Sequence, residues 1–334
     1  MITSSVKSFL RRFLKALARS RILTSICARI VTYAFDDPQA GKELQAWFLK
    51  SGFYFLRKHY YLPIPDETEL TPQFFTAESA MTGVDLNASG ALDLLHEVLA
   101  RHTESFRNRY PLTDETGRSE FHLLNGSFMA VDAHVYYAMI NHFRPKRIVE
   151  IGCGCSTALA ASAALKIKEF TRHEPEVVAI EPYPNEALGR GFPGLNRLIQ
   201  AKVQDVPLDL FTSLQEGDIL FIDSTHSLKA GGDVQYEYLE ILPRLQKGVL
   251  VHVHDISLPK NYPRVYFENG LYWNEQYLLQ AFLAFNRHFR VLWAGNYMLL
   301  THPKEVLGVF PEIEEMRKIY PASEPSSFWM QVLP

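Results

Sequence analysis

The stretch 147-RIVEIGCGCST-157 decides how this chain folds. Arg147 to Ile151 is a short, mostly apolar run that reads as a buried strand, and a helical run opens at Ser156. Between them, Gly152 and Gly154 let the backbone turn tightly and approach a ligand closely. The N-terminus of the helix that follows offers free N–H groups to an anionic or polar ligand group. Strand, glycine turn and helix in this order begin a nucleotide-binding unit. The third glycine of a dinucleotide fingerprint is absent, because Ser156 and Thr157 follow the pair.

Working outward, strands and helices alternate from Arg147 on. Val177 to Glu181 reads as a second strand, Leu198 to Val203 as a third, Asp218 to Asp223 (DILFID) as a fourth and Gly248 to His254 (GVLVHVH) as a fifth. Helices are expected over Gly232 to Leu245 and Tyr272 to Phe285. Phe289 to Ala294 and Tyr297 to Thr301 read as a closing antiparallel pair that turns at Gly295-Asn296. Upstream, Leu92, Leu94, Leu95, Val98 and Leu99 predict a helix over 88–104, and Phe128 to Phe143 predicts another. This alternation argues an α/β fold whose mostly parallel sheet is covered on both faces. Three regions follow: a helical N-terminal extension over 1–75, a main domain over 76–303 and a C-terminal tail over 304–334.

Carboxylates around the turn narrow the nucleotide. Glu150 stands two residues before Gly152, where it would repel a pyrophosphate but suits the ammonium of an amino-acid moiety. Glu181 closes the second strand, where a carboxylate can accept both hydroxyl hydrogens of a ribose. Asp205 falls just past the third strand, near the place of an adenine. The ligand that wants all three is S-adenosylmethionine, with Gly152, Gly154, Ser156 and Thr157 forming its cradle. A second cluster is expected at the carboxyl ends of strands four and five, from Asp223-Ser-Thr-His226 and His252-Val-His254-Asp255. Two carboxylates in one cleft repel unless a cation or a proton sits between them. Asp223 and Asp255, with His254, therefore predict a divalent cation site, Mg2+ or another divalent ion. His226 has the side chain suited to take a proton from a substrate hydroxyl near neutral pH. His252, inside the apolar run, reads as a core residue. The aromatic segment after Asp255 (Tyr262, Tyr266, Phe267, Tyr272, Trp273) reads as an acceptor wall or lid.

Across residues 125–303 the chain resembles the class I S-adenosylmethionine-dependent methyltransferases, with Glu150-x-Gly152-x-Gly154, Glu181 and GDILFID in order. The resemblance implies a Rossmann-like seven-stranded methyltransferase sheet, mostly parallel, with a terminal antiparallel hairpin. The segments at 223–226 and 252–255 are similar to motifs of metal-assisted O-methyltransferases that act on sugars and macrolides, and of cephalosporin-hydroxylase-type proteins. His254 departs from them, standing where those families often have Glu. The implied activity is O-methylation of a hydroxylated small molecule or glycan. A metal-dependent hydroxylase on the same scaffold, or a non-catalytic cofactor-binding partner protein, stays open as an alternative.

Composition sets the outer limits. The 334 residues are 47% apolar with a net charge of −3, ordinary for a globular protein and without a case for nucleic-acid binding. The charge is uneven: residues 1–35 carry seven basic side chains and no acidic one. Leu10, Phe13, Leu14 and Leu17 lie among those charges at helical spacing, a pattern that suits a partner surface or peripheral contact with an anionic membrane. Three cysteines, two of them in the glycine turn, build no disulfide framework, so a cytoplasmic protein is expected, with a homo-oligomer left open.

Overall fold

The computed structural model describes residue 12 and residues 15–114, 120–171 and 173–334. Leu10, Phe13 and Leu14 of the N-terminal pattern lie outside the described residues. The chain divides into two compact units, Met1–Ile64 and Pro65–Pro334. This break falls at the Pro-rich segment 61–66, earlier than a boundary at residue 75, and the short helix Pro72–Thr76 belongs to the larger unit.

In the larger unit the strands are β1 (Arg147–Ile151), β2 (Glu176–Ile180), β3 (Arg197–Ile199), β4 (Ile219–Ile222), β5 (Leu250–Val253), β6 (Phe289–Ala294) and β7 (Phe328–Val332). Among the described residues they form one seven-stranded sheet in the order β3-β2-β1-β4-β5-β7-β6. β1 to β5 are parallel, and β7 runs antiparallel between β5 and β6. The central strands are near-continuous apolar runs because both faces are covered. Alternate residues feed opposite cores. Ile148, Val177, Ile219, Phe221 and Leu250 pack on one face with the helices Asp132–Phe143 and Cys155–Thr171. Val149, Ile151, Val178, Leu220, Ile222 and Val251 pack on the other with Leu279 and Leu283 of the helix Glu275–Leu283.

Strand order reverses between β1 and β4, so their carboxyl ends diverge into a crevice, where ligands bind in open α/β sheets. The two ends meet closely at its base: the Asp223 N–H donates to the Ile151 carbonyl at 2.8 Å.

Three expectations are corrected. The third strand spans only Arg197–Ile199, and Val203–Asp205 is a 3₁₀ turn, because polar Gln200 and Lys202 interrupt the run at the sheet edge. Tyr297–Thr301 is not a strand. It belongs to a helix, Gly295–Thr301, since a short apolar run carries no period of its own and packing decides its form. Residues 304–334 are not a tail: they contribute the helices Pro303–Val309 and Glu312–Ile319, and then β7, which the sheet buries between β5 and β6. The closing antiparallel pair exists, but its second strand comes from this segment.

Candidate active site

Two clusters line the crevice. The first surrounds the glycine turn. Gly152 has a φ of +78°, and a Cβ there would lie 1.7 Å from the Asp223 carbonyl oxygen, so only glycine lets β1 and β4 close on one another. Gly154 is different: a Cβ there meets nothing within 4 Å, and its backbone faces open space. Thr157 Oγ1 accepts the Gly154 N–H at 3.1 Å and holds the turn. Ser156 and Thr157 are both buried, so these two predicted ligand residues face inward.

Glu150 is wholly buried. Its Oε1 accepts the Tyr136 hydroxyl at 2.7 Å, while Oε2 has no hydrogen-bond partner. Glu181, half-buried, accepts the Tyr183 N–H at 2.8 Å, and Asp205 is exposed on its 3₁₀ turn. The cradle thus combines an open glycine backbone, a reachable carboxylate at the end of β2, an exposed one past β3 and a spare buried oxygen beneath the turn. A cavity of ≈ 310 Å³ opens beside it on Gly154, Cys155, Ala158, Leu188 and Phe192.

Burial pushes the Glu150 carboxyl up to about 7, against 4.5 ordinarily, with the hydrogen bond from Tyr136 opposing the rise. Between these values the folded chain keeps a proton that the unfolded chain has released. Stability therefore falls as the pH climbs through that window. Glu150→Gln escapes this loss. The variant is expected to match the wild type near pH 4 and to exceed it by about 3 kcal/mol above pH 7, read from urea unfolding at both values.

The second cluster brings together Asp223 after β4, His254 and Asp255 after β5, and His226 on the loop leaving β4. Nε2 of His226 lies 3.2 Å from Asp223 and 3.5 Å from Asp255. Nδ1 of His254 lies 3.3 Å from Asp223 and 3.7 Å from Asp255. Each imidazole is held from behind by a further carboxylate. Nδ1–H of His226 donates to Glu275 at 2.8 Å, and Nε2 of His254 stands 3.4 Å from Asp132. His226 (φ +55°) and Asp255 (φ +55°) both occupy the left-handed region, which aims their side chains inward at a local backbone cost. Trp273 lies against the His226 ring at 4.4 Å between centroids, and the Tyr266 hydroxyl donates to Asp255 at 3.4 Å, so the aromatic segment does fold over the cluster.

Ligand atoms of Asp223, His226 and Asp255 all lie within 4.8 Å of one another, a spacing suited to a cation. The donor set fits one: two carboxylates and two imidazole nitrogens converge, and the outer carboxylates fix which nitrogen of each ring points inward. Four carboxyl groups also outnumber two imidazoles here. Burial disfavours the His226 and His254 cations, yet the carboxylates around them prevail and raise both well above the ordinary histidine value. Burial likewise opposes ionisation of Asp223, but the two histidines hold it below the usual carboxylate range. His252 is a core residue: its Nε2 pairs with the Ser327 hydroxyl at 2.7 Å, and burial keeps the ring neutral.

Glu275 and Ser326 escaped the sequence reading. Glu275 lies 49 residues from His226 and opens a helix after the aromatic segment, with no motif around it. Ser326 precedes β7 and binds Asp132 through its N–H and hydroxyl, at 3.0 and 3.1 Å to Oδ2. Asp132 is also held by the Ser327 N–H at 2.9 Å.

Residues 149–256 match a family model described as a methyltransferase domain. An uncharacterised protein of Archaeoglobus fulgidus is 37% identical over 169 residues, covering 48% of this chain and 74% of that protein. Among solved structures, the chain is similar to a provisionally named O-methyltransferase from Klebsiella pneumoniae at 13% identity and a TM-score of 0.34, over 73% of this chain and 90% of that one. It is also similar to a provisionally named protein-L-isoaspartate O-methyltransferase of Plasmodium falciparum, in complex with S-adenosyl-L-homocysteine. That likeness is 14% identity and a TM-score of 0.30, over 54% of this chain and 87% of that one.

Proposed function

We propose that this chain, whose residues 149–256 match a methyltransferase-domain model, is a class I S-adenosylmethionine-dependent methyltransferase that methylates an oxygen of a hydroxylated small molecule or glycan at the Asp223 cluster. The supporting observation is the convergence of Asp223, His226 and Asp255 next to the glycine turn, on the same sheet edge. In the overall exchange the sulfonium S–CH3 bond breaks, an O–CH3 bond forms, and the hydroxyl proton leaves to a base. S-adenosylhomocysteine is the other product.

Asp223, Asp255 and the inward nitrogen of His226 would hold a divalent cation, with His254 on the opposite flank. Imidazole donors tilt the choice toward manganese, iron or zinc rather than magnesium. When bound, such a cation stabilises negative charge on a substrate hydroxyl and so favours loss of its proton. The chain's own residues do the rest. Glu275 and Asp132 orient the imidazoles, Tyr266 steadies Asp255, and Trp273 walls the site from water. Glu181, at the end of β2, would hold the cofactor beside this cluster, and proximity would supply much of the acceleration.

His226 Nε2 has two exclusive uses. With Nδ1–H committed to Glu275, the other nitrogen either takes a proton or serves as a ligand. We read it as a ligand, because it already lies between the two carboxylates. Titrating the protein with Mn2+ in buffers of different ionisation enthalpy tests this. The raised histidines carry protons in the cation-free protein, so binding is expected to release about one proton and to tighten as pH rises. Turnover of S-adenosylmethionine with a panel of hydroxylated acceptors should then fall on chelation. No cation binding, with chelator-insensitive turnover that His226→Ala abolishes, would instead make His226 the base. Absence of S-adenosylmethionine binding would refute the proposal as a whole.

A further inference from the structure

The smaller unit, Met1–Ile64, differs in kind from the rest of the chain. It carries a net charge of +8, against −11 for Pro65–Pro334. Its two described helices, Arg21–Asp36 and Pro38–Lys50, meet where Gly41 packs on Ala34 and Phe35, and Gly41 is the single buried residue of the pair. On the first helix Ile22, Ile26, Ile30 and Tyr33 fall at spacings of four, four and three, which places them on one face. They are 74, 48, 61 and 74% exposed. The second helix and the segment after it add Trp47, Phe53, Tyr54, Tyr60 and Tyr61, each more than 60% exposed.

Water alone is a poor environment for such a stripe, and monomeric soluble domains seldom expose contiguous patches of this kind. The chemistry around it specifies the cover. Arg29 borders the isoleucine stripe, Arg21 starts the helix, and the Lys50 ammonium lies 5.7 Å from the Trp47 ring centroid. An exposed isoleucine stripe, together with an exposed tryptophan, exposed tyrosines and long cationic side chains, offers the mixed chemistry that a bilayer interface takes. A nucleic acid would answer the charge but not the isoleucines. No helix among the described residues is long and apolar enough to cross a membrane, so the fit is to lying on the surface.

We propose that residues 15–61 dock this chain on an anionic phospholipid surface, with Ile22, Ile26, Ile30 and Tyr33 inserted among the acyl chains and Arg21 and Arg29 on the headgroups. This inference does not depend on the methyl-transfer reading, since no residue of either active-site cluster takes part.

Co-sedimentation of the full-length protein with phospholipid vesicles tests it. Vesicles of phosphatidylcholine and phosphatidylglycerol in a two-to-one ratio should pellet the protein, and phosphatidylcholine alone should not. Salt at about 0.5 M should weaken binding at least tenfold by screening. Exposed positions allow variants that keep the fold, checked by circular dichroism and S-adenosylmethionine binding. The triple variant Ile22→Asp, Ile26→Asp, Ile30→Asp should lose vesicle binding, and Arg21→Glu with Arg29→Glu should lose the preference for anionic lipid. The proposal fails if the wild type stays in the supernatant, if neutral and anionic vesicles bind alike, or if the aspartate variant pellets like the wild type. A wild-type dimer that ignores vesicles and becomes monomeric in the aspartate variant also overturns it, by identifying a second copy as the cover.

Discussion

Gly152→Ala is expected to abolish S-adenosylmethionine binding and to lower stability by about 2–5 kcal/mol, the sum of a left-handed backbone penalty and an overpacking cost. For a domain of this size that corresponds to a fall in melting temperature of about 10 °C, or to insoluble protein. The added methyl would lie 1.7 Å from the Asp223 carbonyl oxygen and 2.6 Å from its carbon. Both are backbone atoms at the end of a buried strand and have no rotamer to adopt. Relief requires β1 and β4 to separate, which breaks the bond from Asp223 N–H to Ile151 and opens the floor of the crevice. Gly154→Ala is the control. Nothing lies within 4 Å of that position, so its melting temperature should stay near that of the wild type while the cofactor cradle narrows. Thermal unfolding of the two variants side by side decides the matter: equal melting temperatures would mean that the close approach of the strands is not structural.

Asp223→Asn should cut cation affinity and turnover at least about a hundredfold, more than is typical for loss of an outer hydrogen bond to a metal ligand. Asparagine keeps the volume but removes the charge that faces Nε2 of His226 at 3.2 Å and Nδ1 of His254 at 3.3 Å. Cofactor affinity should change only a few-fold, because Asp223 meets the cradle through its backbone. The stability effect has a defined sign. The Asp223 carboxyl is held below its ordinary value of 3.8, so its stabilising contribution is present above that value and is lost as the pH falls further. The variant should therefore be less stable than the wild type at neutral pH, and the difference should vanish in strong acid. Calorimetric Mn2+ titration and urea unfolding at two pH values read both effects. Unchanged cation affinity would remove Asp223 from the site.

Much of the glycine turn and its neighbourhood was legible in the sequence because its residues are local to strand ends. Gly152 and Gly154 stand in one turn, and Glu181 follows directly on β2, so reading the strands places them. The second cluster was legible only in part. Asp223 and Asp255 follow the apolar runs of β4 and β5, and parallel neighbours bring such ends together. His226 was visible as a titratable group near Asp223. The orienting carboxylates were not, because Glu275 and Asp132 reach their histidines from helices whose placement depends on side-chain packing across the sheet.

Periodicity and backbone freedom are properties of short segments, and they were enough to place the parallel half of the sheet, the glycine turn and the acidic ends of β4 and β5. Long-range packing, by contrast, sets the entry of residues 328–332 into the sheet as β7, the inward facing of Ser156, Thr157 and Glu150, and the nitrogen that each histidine presents to the crevice. Those outcomes rest on pairings between residues far apart in the chain. Strand insertion, burial and imidazole orientation are each fixed by a partner's position, which no local pattern encodes.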